Sequence, residues 1–320
     1  MTRARGPDII EQTTKDHSSP SIRDKGTGPV TDLSHSVEDP AATSLPYVDP
    51  AFPHRPLVLR AGRPRDYRVG IAVLFVHHSV RRNGEDYRDY WLDLVDTAGI
   101  LAISVEFPEA SFPEHLWYHF GNLHDKDGAP SRREEWTFGI DERLFDLLRT
   151  QGVTTQQRYG LFGHSAGGQF VHRMVSFGFR DRVAVAVSAN AGPCAMPDLS
   201  TPRPFGLGQT DVDTDALRSL LGFRITVMAG IAEVTMTGRF FPKGPRSMLQ
   251  GATRYEGAHN YVRFGHAAAA TLQTSCAWTV IEVPGVGHDG KCMSVAAAPN
   301  RVCGDARISI VKDLKGQRVI

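Results

Sequence analysis

The sequence predicts an α/β fold, a mainly parallel central sheet with helices on both faces. Short apolar runs alternate along the chain with longer stretches of helical spacing, the order that builds strand–helix–strand units. The runs are apolar at successive positions, not at every second one, as in strands covered on both sides. At 320 residues, 41% hydrophobic and 22% charged, the chain has the length and composition of one large globular domain with a tail.

Residues 1–44 are polar, mixed in charge and almost free of aromatic side chains. Such a stretch buries too little apolar surface to offset the entropy of ordering it. Pro46, Pro50, Pro53, Pro56 and Pro64 then carry the chain onward in extended form. The expected organisation is a disordered or loosely attached tail over residues 1–55 and one domain over residues 56–320.

Residues 69–76, Val-Gly-Ile-Ala-Val-Leu-Phe-Val, read as the first strand. A helix is expected over residues 87–98 and a second strand over residues 100–105, stopped at Phe107-Pro108. Phe138, Leu144, Phe145, Leu147 and Leu148 give residues 135–151 helical spacing. A short strand at residues 159–162 precedes a helix at residues 169–177. Residues 183–189, 225–229 and 278–283 supply three more strands, with a helical stretch at about residues 259–274 between the last two. In such a sheet ligands bind at the C-terminal ends of the strands, so the polar residues there are the candidates for chemistry.

Composition excludes some classes. Lys and Arg number 36 against 35 Asp and Glu, a formal net charge of +1, so nothing in the balance favours nucleic acid or an anionic membrane as partner. No apolar run is long enough to span a bilayer, and no apolar segment follows Arg3 and Arg5 as in a secretory signal. A cytoplasmic protein is expected. Cys194, Cys276, Cys292 and Cys303 contain no CxxC pair and predict no metal site; they are read as free thiols or, for Cys292 and Cys303, a bridge. His115, His119 and His124, with Asp125 and Asp127, are spaced too irregularly for a predicted metal centre. No cofactor is expected.

Phe162-Gly163-His164-Ser165-Ala166-Gly167-Gly168 lies between an expected strand and an expected helix, the setting that a G-x-S-x-G nucleophile turn requires. The flanking glycines leave room for a tight turn that presents the Ser165 hydroxyl, and the helix beyond it aims its positive end there. A hydroxyl needs a base, and in this arrangement the order is Ser, acid, His. His288, in the Gly-flanked loop after the last strand, is the base candidate. Glu233, after the strand at residues 225–229, is the acid candidate, with Asp211, Asp213, Asp215 and Asp289 as rivals. Two backbone N–H groups must meet the oxyanion: Ala166 supplies one, and Ser79 or His78, after the first strand, the other. His77 reads as structural. Phe112, Trp117, Tyr118 and Phe120 either line an acyl pocket or cover the sheet. Trp117, Tyr118 and His164 are the substrate-contact candidates. Arg81-Arg82 and Phe240-Phe241-Pro242 are ambiguous between substrate contact and plain surface or packing roles.

The segment Leu161-Phe162-Gly163-His164-Ser165-Ala166-Gly167-Gly168-Gln169-Phe170-Val171-His172-Arg173 resembles the nucleophile segment of bacterial α/β hydrolases related to polyhydroxybutyrate depolymerases and similar esterases. The likeness extends to Arg82-Asn83, Tyr87-Arg88, Glu106-Phe107-Pro108, Ala189-Asn190-Ala191-Gly192 and the Val283 to Asp289 loop, and covers about residues 69–297. It implies the α/β-hydrolase fold and ester hydrolysis through a Ser-acid-His triad, carried here by Ser165, Glu233 and His288. His78 stands where the family usually has Gly, and Glu233 where Asp is usual. The expected function is hydrolysis of a small-molecule or short oligoester ester. A thioester, lactone or amide on the same triad, and a non-hydrolytic biosynthetic or binding protein, are the alternatives.

Overall fold

Eight strands form one sheet in the order β1-β2-β4-β3-β5-β6-β7-β8. These are β1 (Thr43–Tyr47), β2 (Leu57–Gly62), β3 (Ala72–His77), β4 (Ile100–Glu106), β5 (Tyr159–His164), β6 (Val183–Ala189), β7 (Ile225–Gly230) and β8 (Thr279–Val283). The first two join antiparallel, and every pairing from β4 through β8 is parallel. The computed structural model describes residues 42–234 and 244–298. The Phe240-Phe241-Pro242 segment, the Cys292–Cys303 pairing and most of the expected tail lie outside the described residues.

The apolar runs serve two cores at once. Along β3, Val73 and Phe75 face one core while Ala72, Leu74 and Val76 face the other. Helix α1 (Gly84–Ala98) covers the second core with Tyr87, Trp91, Leu94 and Val95. The opposite face carries α2 (Gly139–Thr150), α3 (Ala166–Ser176), α4 (Thr214–Gly222) and α6 (Arg254–Thr271). A short α5 (Pro245–Met248) precedes α6, and α7 (Gly290–Ala297) joins α1 through Met293 and Ala296. Each large apolar side chain fully buried in this way contributes about 1.5–3 kcal/mol.

The domain starts earlier than residue 56. Residues 43–47 pair with β2 at the sheet edge, where Pro46 opposite Val58 is tolerated because an edge strand has one side free of ladder bonds. Helix α2 begins at Gly139, after a 3-10 turn at Arg133–Glu135, and α6 begins at Arg254. Helices α4 and α7 had no expected counterpart. Both are short, and each is started by an aspartate cap: Asp213 accepts from Ala216 N–H and Asp289 from Cys292 N–H.

Candidate active site

The chain turns from β5 into α3 at Ser165, whose backbone sits at φ 58° and ψ −114°. That conformation costs on the order of 1–3 kcal/mol for a residue with a Cβ. It persists because the surroundings fix it: Ser165 N–H donates to Ala189 O at 2.9 Å, and Gln169 N–H to Ser165 O at 3.0 Å. A Cβ at Gly163 would overlap the Gly167 carbonyl, and one at Gly167 would overlap the His77 carbonyl. The glycines therefore permit the close approach that the turn needs.

His288 reaches this serine from the loop after β8, with Nε2 3.0 Å from Ser165 Oγ. Its Nδ1 stands 3.3 Å from Oε2 of Glu233. Glu233 follows β7 and is 1% exposed; its other oxygen accepts from Arg254 at 2.8 Å. Burial pushes this carboxyl's pKa up, but the hydrogen bonds and charges of His288 and Arg254 outweigh it, and the net shift is downward. Glu233 is thus the carboxylate that stands beside His288. Its rivals are occupied elsewhere: Asp213 and Asp289 cap helices, Asp211 pairs with Arg133, and Asp215 with Arg218.

Asn190 was not singled out as a functional residue, yet it braces both partners of the serine. Its Nδ2 donates to Gly287 O at 2.7 Å, and its Oδ1 accepts from Gly230 N–H at 2.9 Å. One amide so ties the end of the acid strand to the base loop. In the sequence it stands within the Ala189-Asn190-Ala191-Gly192 segment after a buried strand, and only the fold shows what it reaches.

Ala166 is the first residue of α3, where N–H groups have no partner within the helix. On the facing loop, His78 is turned into the core. Its Nδ1–H donates to Ser79 O at 2.8 Å and its Nε2 accepts from Phe107 N–H at 3.1 Å, which fixes a neutral tautomer. Burial pushes its pKa down to about 3. The His78 carbonyl accepts from Tyr118 Oη at 2.7 Å. The imidazole that replaces glycine at this point is therefore a structural plug beneath the loop, while the His77 and His78 carbonyls lie against Gly167, two residues past the serine. His77 is also buried, with Nε2 2.8 Å from Asp141 Oδ2 and its ring stacked on Phe170.

A cleft of about 660 Å³ opens over Ser165 and Ala166. Its walls include Val80, Arg82, His115, His119, Phe120 and Pro193. Trp117 and Tyr118 are not among them. Trp117 carries the Arg55 guanidinium on its face, 3.8 Å away, and packs edge-on to Phe52. Tyr118 is wholly buried between His78 and Phe170. Of the aromatic segment, expected either to line an acyl pocket or to cover the sheet, Phe120 borders the cleft, whereas Phe112 and Tyr118 are buried. His164 is buried too, bonded through Nδ1 to Tyr87 Oη at 2.7 Å, and does not line the cleft. Of the arginine pair, Arg82 lines the cleft while its guanidinium is held by the Phe107, Phe112 and Glu114 carbonyls and by Glu109. Among the described residues no group of His, Cys, Asp and Glu is arranged to hold a metal, and no helix is long and apolar enough to cross a membrane.

A mainly parallel sheet with a strained serine turn, a histidine loop after its last strand and a glutamate after the one before is the arrangement of a carboxylic-ester hydrolase of the α/β-hydrolase fold. No family model and no curated protein matches the chain. Solved structures do. Poly(aspartic acid) hydrolase-1 from Sphingomonas sp. KT-1 is 32% identical, with a TM-score of 0.77 over 80% of this chain and 96% of the other. The poly(3-hydroxybutyrate) depolymerase LpqC from Bordetella parapertussis is also 32% identical, with a TM-score of 0.78 over 82% and 90%. An S-formylglutathione hydrolase from Agrobacterium tumefaciens, at 15% identity and a TM-score of 0.50 over 79% and 90%, shares the fold alone. The chain belongs to the α/β-hydrolase family related to poly(3-hydroxybutyrate) depolymerases.

Proposed function

We propose that this enzyme cleaves a carboxylic ester of a small molecule or short oligoester through a Ser165–His288–Glu233 triad and an acyl-enzyme. The observation that carries the reading is the unbroken line from Glu233 Oε2 to His288 Nδ1 at 3.3 Å and from His288 Nε2 to Ser165 Oγ at 3.0 Å. Ser165 Oγ attacks the acyl carbon as its proton passes to His288 Nε2. Glu233 holds the imidazole in the Nδ1–H tautomer and stabilises the imidazolium as it forms. The oxyanion is met by Ala166 N–H and a backbone N–H of the His78–Ser79 segment. The tetrahedral intermediate collapses, the leaving alcohol takes the proton from His288, and the acyl group stays on Ser165. Water, deprotonated by His288, then adds to the acyl carbon, and its collapse frees the acid and restores the serine.

The chemistry of these residues needs no cofactor, and the partner is the small-molecule ester itself. The cleft is bounded by Phe120 and Val80 as well as by polar groups, which suits an acyl group of mixed character. Likeness to a poly(3-hydroxybutyrate) depolymerase supports an oligoester as one substrate form. A panel of esters of graded chain length, with a thioester, a lactone and an amide alongside, tests the reading on wild type and Ser165→Ala. Ester turnover is expected for wild type and should vanish in the variant, together with labelling by a fluorophosphonate. Full ester turnover by a folded Ser165→Ala protein would sink the proposal, and preference for the amide or thioester would redirect it.

A further inference from the structure

Behind the Ser165–His288 contact lies a group of side chains that the hydrolytic steps do not use. Tyr87, one turn into α1, is 2% exposed, and its Oη stands 2.7 Å from Nδ1 of His164, the residue before the nucleophile. The Ser79 side chain, on the loop after β3, stands beside this phenol. Ser79 Oγ also donates to Asn83 Oδ1 at 3.1 Å and accepts from Arg81 N–H at 3.3 Å. The His164 ring lies 4.8 Å from the His288 ring, at 43° to it. Gly290, two residues past His288, closes on the same pair: a Cβ there would stand 2.5 Å from Tyr87 Oη and 3.2 Å from His164 Nδ1. One phenol therefore touches the loop of the oxyanion donors, the residue that sets up the nucleophile, and the segment that carries the base.

Packing alone does not account for this. A phenylalanine would fill the same volume, whereas a buried hydroxyl and a buried imidazole each need a partner, and here they are partners to each other. The absence of a side chain at Gly290 is what lets the base segment come down onto that hydrogen bond. Small displacements of reacting groups are costly in rate, about a hundredfold for one ångström. We propose that Tyr87, through His164, Ser79 and the close approach at Gly290, is a positioning residue that holds the oxyanion loop, Ser165 and His288 in a single geometry. The proposal rests on the Ser165–His288–Glu233 reading.

Tyr87→Phe keeps the ring and removes one oxygen. The expected result is a fall in kcat of about tenfold to a hundredfold with KM within twofold, because the geometry of the reacting groups suffers and the cleft does not. The second-order rate of fluorophosphonate labelling falls in parallel while the labelled fraction at completion stays that of wild type. Gly290→Ala, which drives a methyl toward the phenol oxygen, lowers kcat in the same manner. It costs less in a Tyr87→Phe background, since the oxygen it collides with is gone. A Tyr87→Phe kcat within twofold of wild type overturns the proposal. So do strictly additive effects in the double variant, or a loss of activity that only follows the folded fraction. Retention of ester turnover by Ser165→Ala, measured beside them, marks the different case in which the triad reading itself has failed and the proposal falls with it.

Discussion

At the scale of single residues, the site is a short relay whose members answer to different tests. Ser165→Ala removes the attacking atom, and kcat should fall about 10⁴-fold or more, with KM and thermal stability close to wild type. Glu233→Gln keeps the shape but offers His288 an amide in place of a carboxylate, so the imidazolium loses its stabilisation. A loss in kcat on the order of 10²–10⁴ is expected, read from steady-state kinetics on one ester; a variant within threefold of wild type would move the acid role elsewhere. The meeting of Ser165, His288 and Glu233 was legible in the sequence, because a G-x-S-x-G turn, an acidic residue after one strand and a Gly-flanked His after the next occur in a fixed order. Asn190 was not, since an asparagine carries no mark of the two carbonyl and amide groups it joins.

At the scale of elements, the nucleophile turn depends on how closely β5, α3 and the end of β3 approach one another. Gly167→Ala sets a methyl against the His77 carbonyl, and backbone on both sides leaves nothing flexible to yield. The variant should lose about 3 kcal/mol or more of stability and its fluorophosphonate labelling together, as followed by thermal denaturation and probe capture. Asp213→Ala is a useful contrast. It removes the cap of α4, far from the serine in sequence, and should cost about 1 kcal/mol with kcat unchanged. The strands β3 to β8 were legible as elements because each is a run of apolar residues between polar loops. The edge strand β1 was not, because Pro46 argues against a strand unless its position at the sheet margin is known. Helices α4 and α7 were missed because eight or nine residues give too few turns for a periodic signal, although their Asp caps stood in plain view.

At the scale of the whole molecule, the described residues bury four neutral histidines, His78, His119, His164 and His172. Burial is the first cause of each downward pKa shift, aided by nearby guanidinium groups, Arg82 on His78, Arg173 on His119 and His172, and Arg254 on His164. The unfolded chain takes up protons on these rings below about pH 6.5, and the folded chain does not. Their contribution to stability is thus complete above pH 6.5 and declines as the pH falls below it, by up to about 1.4 kcal/mol per ring per pH unit. Glu233, with its lowered pKa, adds a further loss at more acid pH as the unfolded state takes up a proton first. Since a domain is stable by only about 5–15 kcal/mol, the melting temperature should fall steeply between pH 6.5 and pH 5. Calorimetry across that range checks it, and a flat melting temperature from pH 7 to pH 5 would contradict the assignment of these rings as neutral.

The sequence by itself determined the α/β class, the succession of strands β3 to β8 along the chain, and the candidates for nucleophile, base and acid. Those properties are written locally, in apolar runs, in glycines around one serine and in the polar residue that ends each strand. The tertiary structure alone decided which side of the loop His78 faces, that Phe120 and not Trp117 or Tyr118 borders the cleft, and that Tyr87, His164 and Gly290 meet. Those are matters of contact between residues dozens of positions apart. Burial and hydrogen-bond satisfaction, imposed by packing of the whole sheet against its helices, choose among side-chain directions that the local sequence leaves equivalent.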